Sequence, residues 1–272
     1  MPGVADANQR RPFFQQFGWT QGIDLYCNCA NSRYNSLQIR GERRNTWGLT
    51  LSGNYTYGVA KGDSGDSFTF LFNRRLGYGD KDFLSRHQGV VSFLYDLPFG
   101  RGRKFGATLS PEVDHLLGGW TLNGISSIYS GIPFTPSFDA PLGVVRPNAG
   151  PGNRPDRGAV SPFEGARGNR DQFFVGGLGS AFLIPSDNSF GNFGINTLHG
   201  PKFYQQDLTL AKSVKFRERY DINFRVEAFN VWNHANLGLP VSNVTASDAG
   251  RINGLAANSQ MRRLQFGIRF GF

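Results

Sequence analysis

Arg263-Leu264-Gln265-Phe266-Gly267-Ile268-Arg269-Phe270-Gly271-Phe272 alternates apolar residues with polar or small ones without a fault. Successive strand side chains point to opposite faces. Leu264, Phe266, Ile268, Phe270 and Phe272 therefore form one apolar ladder, and Arg263, Gln265, Gly267, Arg269 and Gly271 form the other face. Such a strand is greasy on one flank and wettable on the other.

Six more segments carry the pattern or a strand composition. In residues 33–42, Leu37 and Ile39 oppose Ser36, Gln38, Arg40 and Glu42. In residues 47–58, Trp47, Leu49, Leu51, Tyr55 and Tyr57 oppose Gly48, Thr50, Ser52, Asn54 and Thr56. Residues 87–97 align Val91, Phe93, Tyr95 and Leu97, with Leu94 on the polar side. Residues 117–131 are less regular, because Ile125 and Tyr129 share the side of Asn123. Residues 203–216 and 219–232 then lead to 260–272. The phase flips after Ala228, which predicts a bulge or the edge of the membrane there. These segments run about 10–14 residues; a tilted strand crosses a bilayer in about 9–11, whereas soluble strands average about five or six.

Connections alternate in length. Residues 43–46 and 217–218 are short, 98–116 is intermediate, and 59–86, 132–202 and 233–259 are long. Short periplasmic turns opposite long extracellular loops are the asymmetry of outer-membrane barrels. The longest loop is rich in Gly, Pro, Asn and Asp, but Phe173, Phe174, Phe182, Phe190 and Phe193 predict that it packs in part. Trp47, Tyr55, Tyr57, Trp120 and Trp232 lie near strand limits, where aromatic girdles meet the membrane interfaces.

Composition agrees. Hydrophobic content is 39%, yet aromatics reach 14%, with 25 Phe and 36 Gly, as strands apolar on one face would give. No run of about 18 apolar residues is present, so a membrane-spanning chain would cross as a closed barrel. The net charge of +9 is scattered rather than gathered into a stripe, which argues against nucleic acid. Arg40, Arg219, Arg225, Arg263 and Arg269 alternate with apolar residues and read as lumen-facing, with Arg225–Glu227 and Arg219–Asp221 as ion pairs. Cys27 and Cys29 form a lone C-x-C, either a local disulfide or two free thiols, and the four histidines lack metal-ligand spacing. Gly100, Gly102 and Gly106 miss the dinucleotide spacing by one residue and read as a flexible turn with no helix after it. No catalytic, cofactor or metal site is expected. Residues 1–11 carry no apolar signal region, so either a signal has been removed or the chain is the tail of a longer one.

Three stretches carry a family resemblance: Tyr34-Asn35-Ser36-Leu37-Gln38, Asp96-Leu97-Pro98-Phe99-Gly100-Arg101-Gly102, and Leu117-Gly118-Gly119-Trp120-Thr121-Leu122-Asn123-Gly124. With Arg225-Val226-Glu227-Ala228-Phe229-Asn230-Val231-Trp232-Asn233-His234 and the closing Phe ladder, they resemble the carboxyl-terminal barrel of TonB-dependent outer-membrane receptors of the Oar-like, carboxypeptidase-regulatory-like type. The resemblance implies a plugged barrel of about 22 strands, TonB-driven uptake of a small nutrient, and delivery of the terminal aromatic strand to the barrel-assembly machinery. No plug or TonB-contacting segment is visible.

The expectation is an all-β, antiparallel outer-membrane barrel portion of seven or eight strands. Residues 1–20 form an amino-terminal loop segment and 21–272 a partial barrel in outer-membrane lipid, completed by a missing amino-terminal barrel and plug. Seven strands leave 33–42 and 260–272 running the same way, so 21–27, with Ile23 and Leu25, is a candidate eighth strand of a self-contained binding or structural protein. A soluble glycan-binding sandwich is the third alternative.

Overall fold

The computed structural model describes residues 8–9, 13–21, 28, 30–63, 74–139, 153–186, 189–216, 220–257 and 259–272. Seven long strands follow one another: β1 (Ser32–Thr46), β2 (Leu49–Asp63), β3 (His87–Asp96), β4 (Trp120–Tyr129), β5 (Phe203–Phe216), β6 (Tyr220–Phe229) and β7 (Arg263–Gly271). Each pairs antiparallel with its neighbours in sequence, making one meander with β1 and β7 at its edges. A short piece, Tyr78–Asp80, extends the sheet beside the far end of β2. Each of the seven strands falls on one of the seven segments the alternation marks. β1 and β2 run on to Thr46 and Asp63, past the expected ends at 42 and 58, and β4 and β6 are shorter than the expected 117–131 and 219–232. The candidate strand 21–27 and the cysteines Cys27 and Cys29 fall outside the described residues, Gln21 excepted.

Register carries side-chain parity across the whole sheet. Phe266 pairs with Val226, Val226 with Leu210, Leu210 with Leu122, Leu122 with Tyr95, and Tyr95 with Leu49. A one-residue slip anywhere would throw a strand's apolar set onto the wrong face. From β2 to β7 no slip occurs. The phase flip after Ala228 is not a bulge: β6 ends at Phe229, and Asn230 takes φ +48°.

Two local expectations are corrected. The first turn is not 43–46 but Trp47–Gly48, both at positive φ (55° and 80°), the combination a two-residue type I′ hairpin needs. β1 reaches it by absorbing one extra residue between Arg43 and Thr46, which restores the pairing of Thr46 with Leu49. Trp47 is thus a turn residue and not the first residue of a strand. The second correction is a helix, Pro111–Leu117, after the glycine-rich turn. Pro111 suits a first helical turn, but seven residues are too few for an apolar period to register along the chain.

Every long loop leaves from one end of the sheet. The Trp47–Gly48 turn, the 97–119 connection and the end of β7 lie at the other. The buried core is not in the sheet but in those loops. Phe134, Phe138, Phe174, Ala181, Phe182, Phe193, Leu198 and Val244 form one cluster, with Phe173 packed against it. Residues 132–202 and 233–259 interleave to build it: Ser137 N–H donates to Ser242 O, Phe173 N–H to Gly250 O and Ile252 N–H to Arg170 O. Gly250, at φ +79°, lies against the carbonyl of Phe174, and no Cβ fits there. The expected partial packing of this loop is therefore a loop cap with a core of its own.

Candidate functional site

The apolar face is continuous. It presents Leu264, Phe266, Ile268 and Phe270 of β7, Ile222, Phe224 and Val226 of β6, and Leu208, Leu210 and Val214 of β5. Leu122 and Ile128 of β4, Val91, Phe93 and Tyr95 of β3, Leu49 and Leu51 of β2, and Leu37 and Ile39 of β1 continue it. Among the described residues no second layer covers this face: Phe266 is 68% exposed and Phe272 92% exposed. Soluble monomers rarely expose contiguous apolar patches beyond a few hundred Å². Strands β3, β4 and β6 each have ten residues. At about 3.3 Å per residue, ten residues tilted by about 40° span about 25 Å, the height of an outer-membrane barrel's apolar band.

Aromatics gather at the two limits of that band. At the loop-cap end, the Tyr55 hydroxyl lies 2.7 Å from His87 Nδ1, and the Tyr57 ring packs 5.0 Å from the His87 ring. Trp232, beyond the end of β6, donates its Nε1–H to Gln206 Oε1 at 2.6 Å. At the opposite end stand Trp120, edge-on to Phe224, and Tyr220, stacked on Phe270, which stacks in turn on Phe272. Trp47 projects from its turn with the Arg43 guanidinium 5.2 Å above its ring. Of the aromatics expected at strand limits, Tyr55, Tyr57 and Trp232 stand at one rim and Trp47 and Trp120 at the other.

The polar face mixes short side chains, such as Thr50 and Ser52 of β2, Ser92 of β3, Asn123 of β4 and Thr209 and Ala211 of β5, with long ones. The long ones are Arg40 and Glu42 of β1, Arg225 and Glu227 of β6 and Gln265 and Arg269 of β7; Leu94 and Ile125 interrupt the face. Arg225 pairs with Glu227 at 3.6 Å, the expected ion pair; Arg219 lies outside the described residues. A cleft of about 510 Å³ runs over this wall between Asn123, Thr209, Asn223, Arg225, Glu227 and Arg269. Its chemistry is hydrogen bonding and charge. Among the described residues no His, Cys, Asp and Glu cluster that could hold a metal ion is present.

Three features at the rim and in the cap were not legible beforehand. Asn230, buried at the end of β6, donates from Nδ2 to His234 O and Gln260 O and accepts from His234 N–H, while its own N–H donates to Asp207. Asn233 accepts from Arg262 N–H, and Asn236 accepts from Tyr204 N–H. The three asparagines clasp the loop to β5 and β7. Their three-residue spacing was the available signal, and only the folded rim says what it means. In the cap, Arg154 is 3% exposed and donates Nη1–H to Phe193 O, leaving Nε and Nη2 without a partner. Burial pulls its guanidinium below the ordinary arginine range. His199 is half-buried, with Nε2 unpartnered; burial, then the Arg86 charge, holds its imidazole below the ordinary histidine range.

A family model described as outer membrane beta barrel domain matches residues 1–265. Comparison with curated proteins and with solved structures returns no match.

Proposed function

Because the chain belongs to the outer membrane beta barrel domain family and so resides in the bacterial outer membrane, we propose that it is the carboxyl-terminal wall of a TonB-dependent receptor barrel. In this reading the apolar face meets lipid, the polar face lines the lumen, and the loop cap lies outside the cell. The observation that carries it is strand direction. β1 and β7 run the same way, and among the described residues each has one long-strand neighbour. Antiparallel closure then needs further strands. One further strand would satisfy direction alone; the resemblance of residues 225–234 and the closing Phe ladder to receptor barrels favours many such strands over one. A missing amino-terminal barrel and plug would close the pore and couple it to TonB. A small polar nutrient, captured by the cap and passed along the wall of Asn223, Arg225 and Arg269, is the proposed cargo. By itself the chain is not expected to transport, and no enzymatic step is proposed for it.

An antibody to the loop cap, used on outer-membrane fractions, tests the reading. A band far larger than a 272-residue chain, or stoichiometric co-purification of a plug-bearing polypeptide, is the expected result. A heat-modifiable band of the chain's own size with no partner would replace it with the self-contained eight-strand protein.

A further inference from the structure

The 97–119 connection has more structure than a turn needs. Gly100 N–H donates to Phe105 O and Phe105 N–H to Pro98 O, both at 2.9 Å, closing a tight loop. The Asp114 carboxylate accepts from Arg101 N–H at 2.5 Å, which locks that loop onto the Pro111–Leu117 helix.

The end of the helix is fastened to the apolar face and not to the polar wall. Trp120 Nε1–H donates to Leu116 O at 3.1 Å. Lys212 Nζ donates to Leu116 O at 3.0 Å and Gly118 O at 2.5 Å, and stands 5.0 Å above the Trp120 ring. Register puts Lys212 between Trp120 and Phe224, both on the apolar face. The helix carbonyls therefore cap the one cation in that row. A lysine that lays its stem on apolar surface and its ammonium on polar atoms at the edge is snorkelling.

Held there, the helix turns Val113, Leu116 and Leu117 outward. The i, i+3, i+4 spacing makes them one stripe, and Leu116 is 73% exposed. Phe99 and Phe105, with ring centroids 5.6 Å apart, are exposed beside it. Arg101, Arg103 and Lys104 project from the same loop. The stripe adjoins the apolar face through Trp120 and Lys212, and the three cations are exposed on the loop that precedes it.

We propose that residues 97–119 form an interfacial foot, with the Val113, Leu116 and Leu117 stripe in the acyl boundary of the inner leaflet and Arg101, Arg103 and Lys104 on anionic phospholipid headgroups. An apolar stripe with cations beside it is the composition of a segment that lies in an interface plane; here the cations come from the loop, while the helix's own polar side carries Glu112, Asp114 and His115. The foot rests on membrane residence and on the loop cap lying outside the cell, and not on the receptor reading.

Spin labels test it, in outer-membrane vesicles carrying the full chain with Cys27→Ser and Cys29→Ser. A label at Leu116→Cys should collide with oxygen severalfold more often than with a water-soluble nickel chelate. A label at His115→Cys, on the opposite side of the helix, should do the reverse. Equal water exposure of both labels would overturn the foot. Shielding of Leu116 from both reagents would also overturn it, because a protein partner would then cover the stripe. In proteoliposomes, fluorescent phosphatidylglycerol should be enriched around the chain, and the Arg101→Gln, Arg103→Gln, Lys104→Gln variant should lose that enrichment. Unchanged enrichment would remove the headgroup half of the proposal.

Discussion

Phe266→Arg separates a wall in lipid from a sheet in water. Phe266 is the fourth of nine residues in β7, and its row runs through Val226, Leu210 and Leu122, all on the apolar face. An arginine on the lipid face at the bilayer midplane costs about 2–4 kcal/mol, falling to about 0–1 near the interfaces. At about 1.4 kcal/mol per decade, the folded population should drop about 30- to 700-fold relative to unfolded chain. On an exposed surface in water the same change would stay within about 0.5 kcal/mol. One residue away, Gln265 stands opposite Glu227 on the polar face. Gln265→Arg there gains a cross-strand ion pair of about 0.2–1 kcal/mol. The assay is urea unfolding of the heat-modifiable species in vesicles, with both variants beside the parent. An unchanged Phe266→Arg would refute exposure to lipid. Equal damage at both positions would refute a two-faced wall, since it means burial on both sides.

Asn230→Ala should loosen the loop-cap rim by about 3–6 kcal/mol, because it removes three part-buried hydrogen bonds (to His234 O, to Gln260 O and from His234 N–H) at about 0.5–1.5 kcal/mol each and puts alanine at positive φ, at about 1–2 kcal/mol. Limited proteolysis between residues 231 and 262 should then become faster. Arg154→Met should be neutral or stabilising, since it trades a buried guanidinium with two unpaired nitrogens for an apolar chain, whereas Phe174→Ala should cost about 3–5 kcal/mol. Thermal release of the cap, followed by protease sensitivity, ranks the two. The cap should also weaken in acid. His199 is held below its ordinary value, so the unfolded cap binds the proton more readily, and stability present above about pH 6.5 is lost as pH falls below it. His199→Gln should flatten that dependence, and an unaltered pH profile would exclude His199 as its source.

Period two is a local property, and that is why all seven strands could be read from the chain alone. Leu51, Phe93 and Phe266 each declare a face through their immediate neighbours. Trp47 was misplaced because a tryptophan at positive φ in a two-residue turn defies ordinary turn chemistry, while Asn45 and the arginines before it look like the turn. The loop cap was half legible. Its phenylalanines announced a core, but the bonds that make it, such as Asp139 N–H to Thr245 at a separation of 106 residues, leave no local trace. Lys212 interrupts an otherwise apolar row, which was a usable signal. Its meaning needed the helix end that receives it.

Burial divides the molecule by solvent. Every buried hydrophobic residue of the described core, from Phe134 to Ile252, belongs to the loops, and none to the seven strands. The cap therefore contains its own apolar interior and gains from water in the ordinary way. The wall has no such interior. Its backbone bonds are satisfied strand to strand, but its apolar face becomes favourable only when hydrocarbon replaces water. Two regions of one chain thus ask for opposite surroundings, and the aromatic rims and the Asn230 clasp lie where the two meet. The edges follow from the same division: among the described residues β1 and β7 each have an outer row of N–H and C=O groups with no strand beside it, which water can solvate and lipid cannot. Insertion of the wall and pairing of its edges must therefore be coupled: insertion first would strand polar backbone in hydrocarbon, and closure first would leave the apolar face in water.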